Sequence, residues 1–165
     1  MNSELRNQEL RELYQQVIID HGRHPRNFRV PEGYSHSREG YNPICGDRLQ
    51  LYLMLGPGDE PVIEDIAFEG EGCAISMASA SLLTEFLRGK TETEARALFE
   101  DFHQLVTGET QPGPEVLGKL RVLAGVRAFP SRIKCATLAW HTLVGALDKG
   151  GRRGAGDGGG WITTE

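Results

Sequence analysis

Much that would mark a common class of protein is missing from this 165-residue chain. No run approaches the ~18 consecutive apolar residues that a membrane-spanning helix needs. The opening, Met1-Asn2-Ser3-Glu4-Leu5-Arg6, lacks the basic patch and apolar stretch of a secretory leader, so none is expected. Positive charge is in the minority, with 18 Lys and Arg against 23 Asp and Glu and a net charge of −5. That balance argues against a general nucleic-acid binder, whose affinity comes largely from basic side chains meeting phosphates, though it leaves room for a local basic patch. The 3 cysteines are too few, and odd in number, for a disulfide-stapled secreted scaffold. Reduced thiols and a cytoplasmic address are the expectation. There is no Gly-x-x-x-x-Gly-Lys-Ser/Thr phosphate loop, no Gly-x-Ser-x-Gly elbow and no internal repeat.

What is present organises into one domain. Apolar residues make up 39% and charged residues 25%, a balance able to bury a core. Leu10, Leu13, Tyr14, Val17, Ile18 and His21 recur at three- and four-residue steps. They predict a helix with one apolar stripe, stopped by Gly22 and Pro25. His21 to Arg29 follows as a basic loop, either a solvated turn or a docking patch. Arg48 to Leu55 alternates as a strand, with Leu49, Leu51, Leu53 and Leu55 on one face. Gly56-Pro57-Gly58-Asp59 turns the chain, Val62 to Phe68 returns antiparallel, and a fainter strand precedes Asn42.

After Cys73 the period becomes helical. Ile75, Ser79, Leu82 and Phe86 mark a helix closed by Gly89. Thr91 and Glu94 make a capping box for the next, which carries Ala95, Leu98, Phe99, Phe102 and Val106. Leu117, Leu120 and Ala124 mark a third. Pro130-Ser131 opens the last, with Cys135, Leu138, Thr142, Leu143 and Ala146 inward. The expected architecture is an α+β domain over residues 1–149, a small antiparallel sheet of about three strands packed against helices. Many of the 21 glycines lie at the end, and residues 150–165 read as a flexible tail that buries too little to offset its ordering entropy.

Four residues carry the candidate chemistry: Cys45, Asp47, Cys73 and Cys135, each at an element boundary. Cys45 and Asp47, two apart, project to one face of an extended chain, with Gly46 between them letting the backbone bend. Cys73 starts one helix and Cys135 is placed in the first turn of the last, where free amide donors favour thiolate over thiol. Arg132, on the same helical face as Cys135, and Lys134 add positive charge, so all three thiols are expected to ionise easily. Three thiolates and a carboxylate suit tetrahedral zinc. Soft sulfur selects zinc or iron–sulfur species over magnesium or calcium. The carboxylate, a harder and more exchangeable donor, points to a site built to open.

The plainer readings stand beside this one. Each cysteine alone reads as a small buried hydrophobe, and Asp47 after a glycine as a turn residue. No Cys-x-x-Cys pair occurs, and positions 45, 73 and 135 match no zinc ribbon. Spacing leaves both open. His103 and His141 read as packing or surface residues. His21, His24 and His36 lie near the basic loop, where packing is a plainer reading than a second metal site.

Taken together, several stretches resemble the U-type iron–sulfur assembly proteins. They are Ile19-Asp20-His21 with Pro25-Arg26-Asn27-Phe28, then Asn42-Pro43-Ile44-Cys45-Gly46-Asp47, then Gly70-Glu71-Gly72-Cys73-Ala74-Ile75-Ser76, then Ser131-Arg132-Ile133-Lys134-Cys135-Ala136-Thr137-Leu138-Ala139-Trp140. The resemblance runs in order from about residue 8 to 148 and leans toward the SufU branch. Lys134 stands where the IscU scaffold has a histidine, and residues from about 107 to 129 look like the SufU insertion.

The resemblance implies an IscU-like α+β fold and a zinc held by Cys45, Asp47, Cys73 and Cys135. It implies a SufS-type, pyridoxal-phosphate cysteine desulfurase as partner, and downstream iron–sulfur assembly components beyond it. In that branch the residue matching Cys45 accepts persulfide sulfur while a desulfurase histidine replaces it on the zinc, and Arg132 matches a basic residue important for activity. The protein would then be a sulfurtransferase-like co-substrate of the desulfurase more than a stand-alone catalyst. Two other readings are kept. One is a scaffold for a transient [2Fe–2S] cluster on the same cysteines, against which Lys134 counts as a poor ligand while charged. The other is a non-enzymatic adaptor whose zinc only holds the fold.

Overall fold

The leucines that alternate from Leu49 become the central strand of a sheet. In the computed structural model, which describes residues 3–43, 45–108, 114–148 and 161–163, β2 (Asp47–Leu55) buries Leu49, Leu51 and Leu53 completely. It pairs antiparallel with β1 (His36–Asn42) on one side and β3 (Ile63–Glu71) on the other. These are the three strands expected from the pattern. A fourth, β4 (Trp161–Thr163), runs parallel to β1 and completes the order β3-β2-β1-β4. It falls within the span read as a tail. The other residues of that tail, 150–160, 164 and 165, lie outside the described residues.

The helices are α1 (Ser3–Arg23), α2 (Ala74–Leu87), α3 (Glu92–Thr107), α4 (Pro114–Leu117) and α5 (Pro130–Asp148). A 3-10 segment, Gly118–Ala128, joins the last two. α2 is buried continuously from Ser76 to Thr84, as apolar and small residues on every face require. It packs against α1, β3 and α5. Two of its buried hydroxyls find internal partners: Ser79 Oγ donates to the Ala136 carbonyl at 2.6 Å and Thr84 Oγ1 to the Ser81 carbonyl at 2.7 Å.

α5 lies over β1, and Gly40 is the reason it can. Thr142 Oγ1 occupies the space a Cβ at that position would need. Trp140 of α5 stacks on Phe102 of α3 with centroids 4.9 Å apart. Gly89, at φ +88, ends α2, and the Thr91–Glu94 capping box starts α3.

Two expectations change. Tyr14, Val17 and Ile18 of α1 pack on the core and His21 is buried, yet Leu13, at the flank of the stripe, is 54% exposed. The third helix is wound as a 3-10 segment after Gly118, which takes φ +50. Residues 109–113 of the expected insertion lie outside the described residues.

The basic loop is more than a solvated turn. Asn27, at φ 57, accepts the Phe68 N–H at 3.0 Å, and the Arg29 N–H donates to the Phe68 carbonyl at 3.0 Å, so the loop straps the outer edge of β3. Arg29 forks onto Asp65 at 3.0 and 2.8 Å and holds that carboxyl below its usual range. Among the described residues no helix is long and apolar enough to cross a membrane.

Candidate metal centre

Asn42 and Asp47 form the last pair of the β1–β2 ladder, so the intervening four positions make the hairpin turn. Gly46 takes φ +73, a conformation that suits glycine, and its N–H returns to the Asn42 carbonyl at 2.8 Å. Cys45 is therefore a half-buried turn residue rather than part of an extended strand. A left-handed glycine, not strand alternation, brings it beside Asp47.

Asp47 is fully buried. Its Oδ1 accepts the Cys73 N–H at 2.8 Å and its Oδ2 accepts Asn42 Nδ2 at 3.3 Å. Gly72 makes room for this, because a Cβ there would collide with Asp47 Oδ1. Asn42 Nδ2 also faces Cys135 Sγ at 3.6 Å, so one buried amide ties the hairpin's carboxylate to the thiol of α5. Sequence reasoning assigned Asn42 no role. The available signal was its register: Arg38, Gly40 and Asn42 share the buried face of β1, where an amide must find partners.

Cys135 is fully buried, with its Sγ 3.0 Å from Cys45 Sγ and 3.7 Å from the Ser131 carbonyl. Donor atoms of Cys45, Asp47 and Cys135 all lie within 4.8 Å of one another. The Cys73 thiol is not part of that cluster. Cys73 caps the N-terminus of α2, half-buried, and is joined to the others through its main-chain N–H on Asp47. The structure thus converges three of the four expected residues and leaves the fourth at the rim.

The expected easy ionisation does not extend to Cys135. It lies in the second turn of α5, not the first, and the influence of a helix terminus fades within one turn. Burial pushes its pKa up, and hydrogen bonding to Cys45 and Asp47 pushes it further. Arg132, exposed at the rim, has its pKa raised by Cys135 first and then by Cys73 and Cys45, whose sulfurs become negative when ionised. Two thiols in contact beside a buried carboxylate are costly to ionise together unless a cation joins them. Two soft sulfurs and one hard oxygen fit such a cation, and zinc or iron accepts that set.

Residues 13–136 match the family model of the NifU-like N-terminal domain. The chain is 44% identical over 144 residues to the "Zinc-dependent sulfurtransferase SufU" of Bacillus subtilis strain 168, covering 87% of this chain and 92% of the relative. It is 42% identical over 140 residues to the "Iron-sulfur cluster assembly scaffold protein IscU" of Streptococcus pyogenes serotype M1, covering 85% and 86%. Among solved structures, a candidate scaffold protein for the SUF system from Fervidobacterium islandicum AW-1 superposes with a TM-score of 0.73 at 34% identity, covering 80% of this chain and 94% of that one.

Proposed function

This chain belongs to the family of NifU-like N-terminal domains, and on that premise we propose that it is a zinc-dependent sulfur acceptor of iron–sulfur cluster assembly, taking persulfide sulfur from a SufS-type cysteine desulfurase. The observation that carries the proposal is the meeting of Cys45, Asp47 and Cys135 within 4.8 Å, with one of the two sulfurs at the tip of a turn. In this reading Cys45, Asp47 and Cys135 hold the zinc, with Cys73 as the fourth donor. Bound there, zinc would keep the sulfurs as thiolates and shield them from oxidation.

Cys45 is the acceptor that the family resemblance implies, and two observations support it: it is half-buried where Cys135 is fully buried, and it belongs to the donor cluster from which the half-buried Cys73 thiol is left out. Its thiolate attacks the outer sulfur of the desulfurase persulfide. A bond forms between Cys45 Sγ and that sulfur, the donor's S–S bond breaks, and the donor cysteine leaves as a thiolate. Cys45 then carries S–SH, the proton having travelled with the transferred sulfur. Asn42 orients the Asp47 carboxylate during exchange, and Arg132 offsets negative charge at the sulfurs.

The scaffold reading is favoured by the name of the Streptococcus relative, and the same cysteines would hold a transient [2Fe–2S] cluster. Metal analysis followed by a persulfide assay with labelled cysteine separates the two. The expected result is about one zinc per chain and labelled sulfur on the wild type. Cys45→Ala should bind the desulfurase but take up no sulfur. A visible-absorbing cluster in a protein indifferent to the desulfurase would establish the scaffold role instead. Loss of metal or stability in Cys45→Ala, without a specific loss of sulfur acceptance, would favour the adaptor with a structural zinc.

A further inference from the structure

A groove of about 1020 Å³ runs beside the donor cluster, bounded by α1, the start of α2, the 3-10 segment and the start of α5. Tyr14, Ile18, Ile75, Val122, Val126 and Phe129 supply its apolar lining. Phe129 is 62% exposed, a large ring left in water. Three arginines, Arg11, Arg127 and Arg132, also line it, and no carboxylate does among the described residues. That is the reverse of the whole chain, whose net charge is −5. Cys73 belongs to the same wall, so the groove reaches the thiol that stands at the rim of the cluster.

We propose that this groove seats an acidic, apolar-faced polypeptide segment of the sulfur-donating partner, with apolar side chains against the lining and carboxylates on Arg11 and Arg132. The partner's identity rests on the sulfur-acceptor reading above, whereas the chemistry of the segment rests on the groove alone. Desolvated apolar contact supplies affinity, and like-signed arginines around it steer and orient an acidic chain. The opening spans four elements, a reach that matches a stretch of polypeptide. Docking there places the partner alongside Cys73 and Arg132.

Gly125 gives a clean way to block the groove. It lies in the lining, and a Cβ built on it meets no neighbouring atom within 4 Å, so a side chain can start there without a clash at its root. The full chain, loaded with zinc, is titrated with the SufS-type desulfurase of the same organism at low and high salt. Wild type should bind, more weakly as salt rises. Gly125→Glu should weaken binding by about tenfold or more, Arg11→Glu by several-fold, and Arg11→Lys should stay near wild type. Zinc content and melting temperature of the variants should match wild type, which separates groove blocking from unfolding. If wild type binds and both acidic variants bind within about twofold of it, the groove assignment falls while the sulfur-acceptor reading stands. If wild type does not bind the desulfurase at all, both fall together.

Discussion

At the scale of single residues, Asn42 is the side chain on which the candidate site turns. It donates toward Asp47 Oδ2 and toward Cys135 Sγ from a fully buried position, so it sets the spacing between a strand-borne donor and a helix-borne one. Removing a group that orients metal ligands generally costs about 10–100-fold in metal affinity. Asn42→Ala should therefore lose its bound metal to a chelator at a concentration about 10–100-fold lower than wild type does. Unchanged competition would mean that the backbone alone holds the donors. The same scale shows why Cys45, Asp47, Cys73 and Cys135 could be picked out in sequence while Asn42 could not. Thiols and carboxylates announce their chemistry by type. An amide declares its role only through the two partners that folding places beside it.

At the scale of elements, the site depends on how α5 sits over β1, since α5 carries Cys135 and β1 leads into the turn that carries Cys45. Gly40 and Thr142 form that contact, and Thr142 Oγ1 donates to the Leu138 carbonyl at 2.7 Å while filling the space beside Gly40. Gly40→Ala should destabilise the protein by about 1–3 kcal/mol in urea unfolding, because the new methyl forces the helix off the sheet. Adding Thr142→Ala should recover part of the loss, a coupling expected only of groups in contact. Additive effects of the two changes would contradict this account. The elements themselves were largely legible. Leucines alternating from 49 to 55 marked β2, Thr91 with Glu94 marked the start of α3, and Pro130 marked the start of α5. The winding after Gly118 and the pairing of Trp161–Thr163 with β1 were not, because both depend on what the rest of the chain offers as a neighbour.

At the scale of the whole molecule, three histidines from different layers make stability sensitive to acid. Burial holds His21, His36 and His141 below their usual value. His21 meets Ser81 Oγ at 2.7 Å. Glu85 and Asp20 oppose its shift while Arg26 and Lys119 add to it. Each histidine is neutral in the fold and takes up a proton on unfolding once the pH is below about 6.5. The unfolded state then binds more protons, so stability rises with pH through that range and is lost as pH falls through the lowered folded values. The melting temperature should hold between about pH 7 and 8 and drop below about 6.5. His21→Gln should flatten the drop, and a flat wild-type profile would contradict the assignment.

The order of the main elements, the residue types of the site and the antiparallel pairing of β2 with β3 were set by local pattern: apolar period, caps, turn glycines and the three thiols with their carboxylate. These properties act over a few residues, so a linear reading captures them. Tertiary structure alone decided which donors converge. It brought Cys45, Asp47 and Cys135 within 4.8 Å and left the Cys73 thiol outside. It also buried Cys135 deeply enough that desolvation, not the helix terminus, governs its proton. Distances and burial are sums over residues far apart in the chain, and no local pattern contains them.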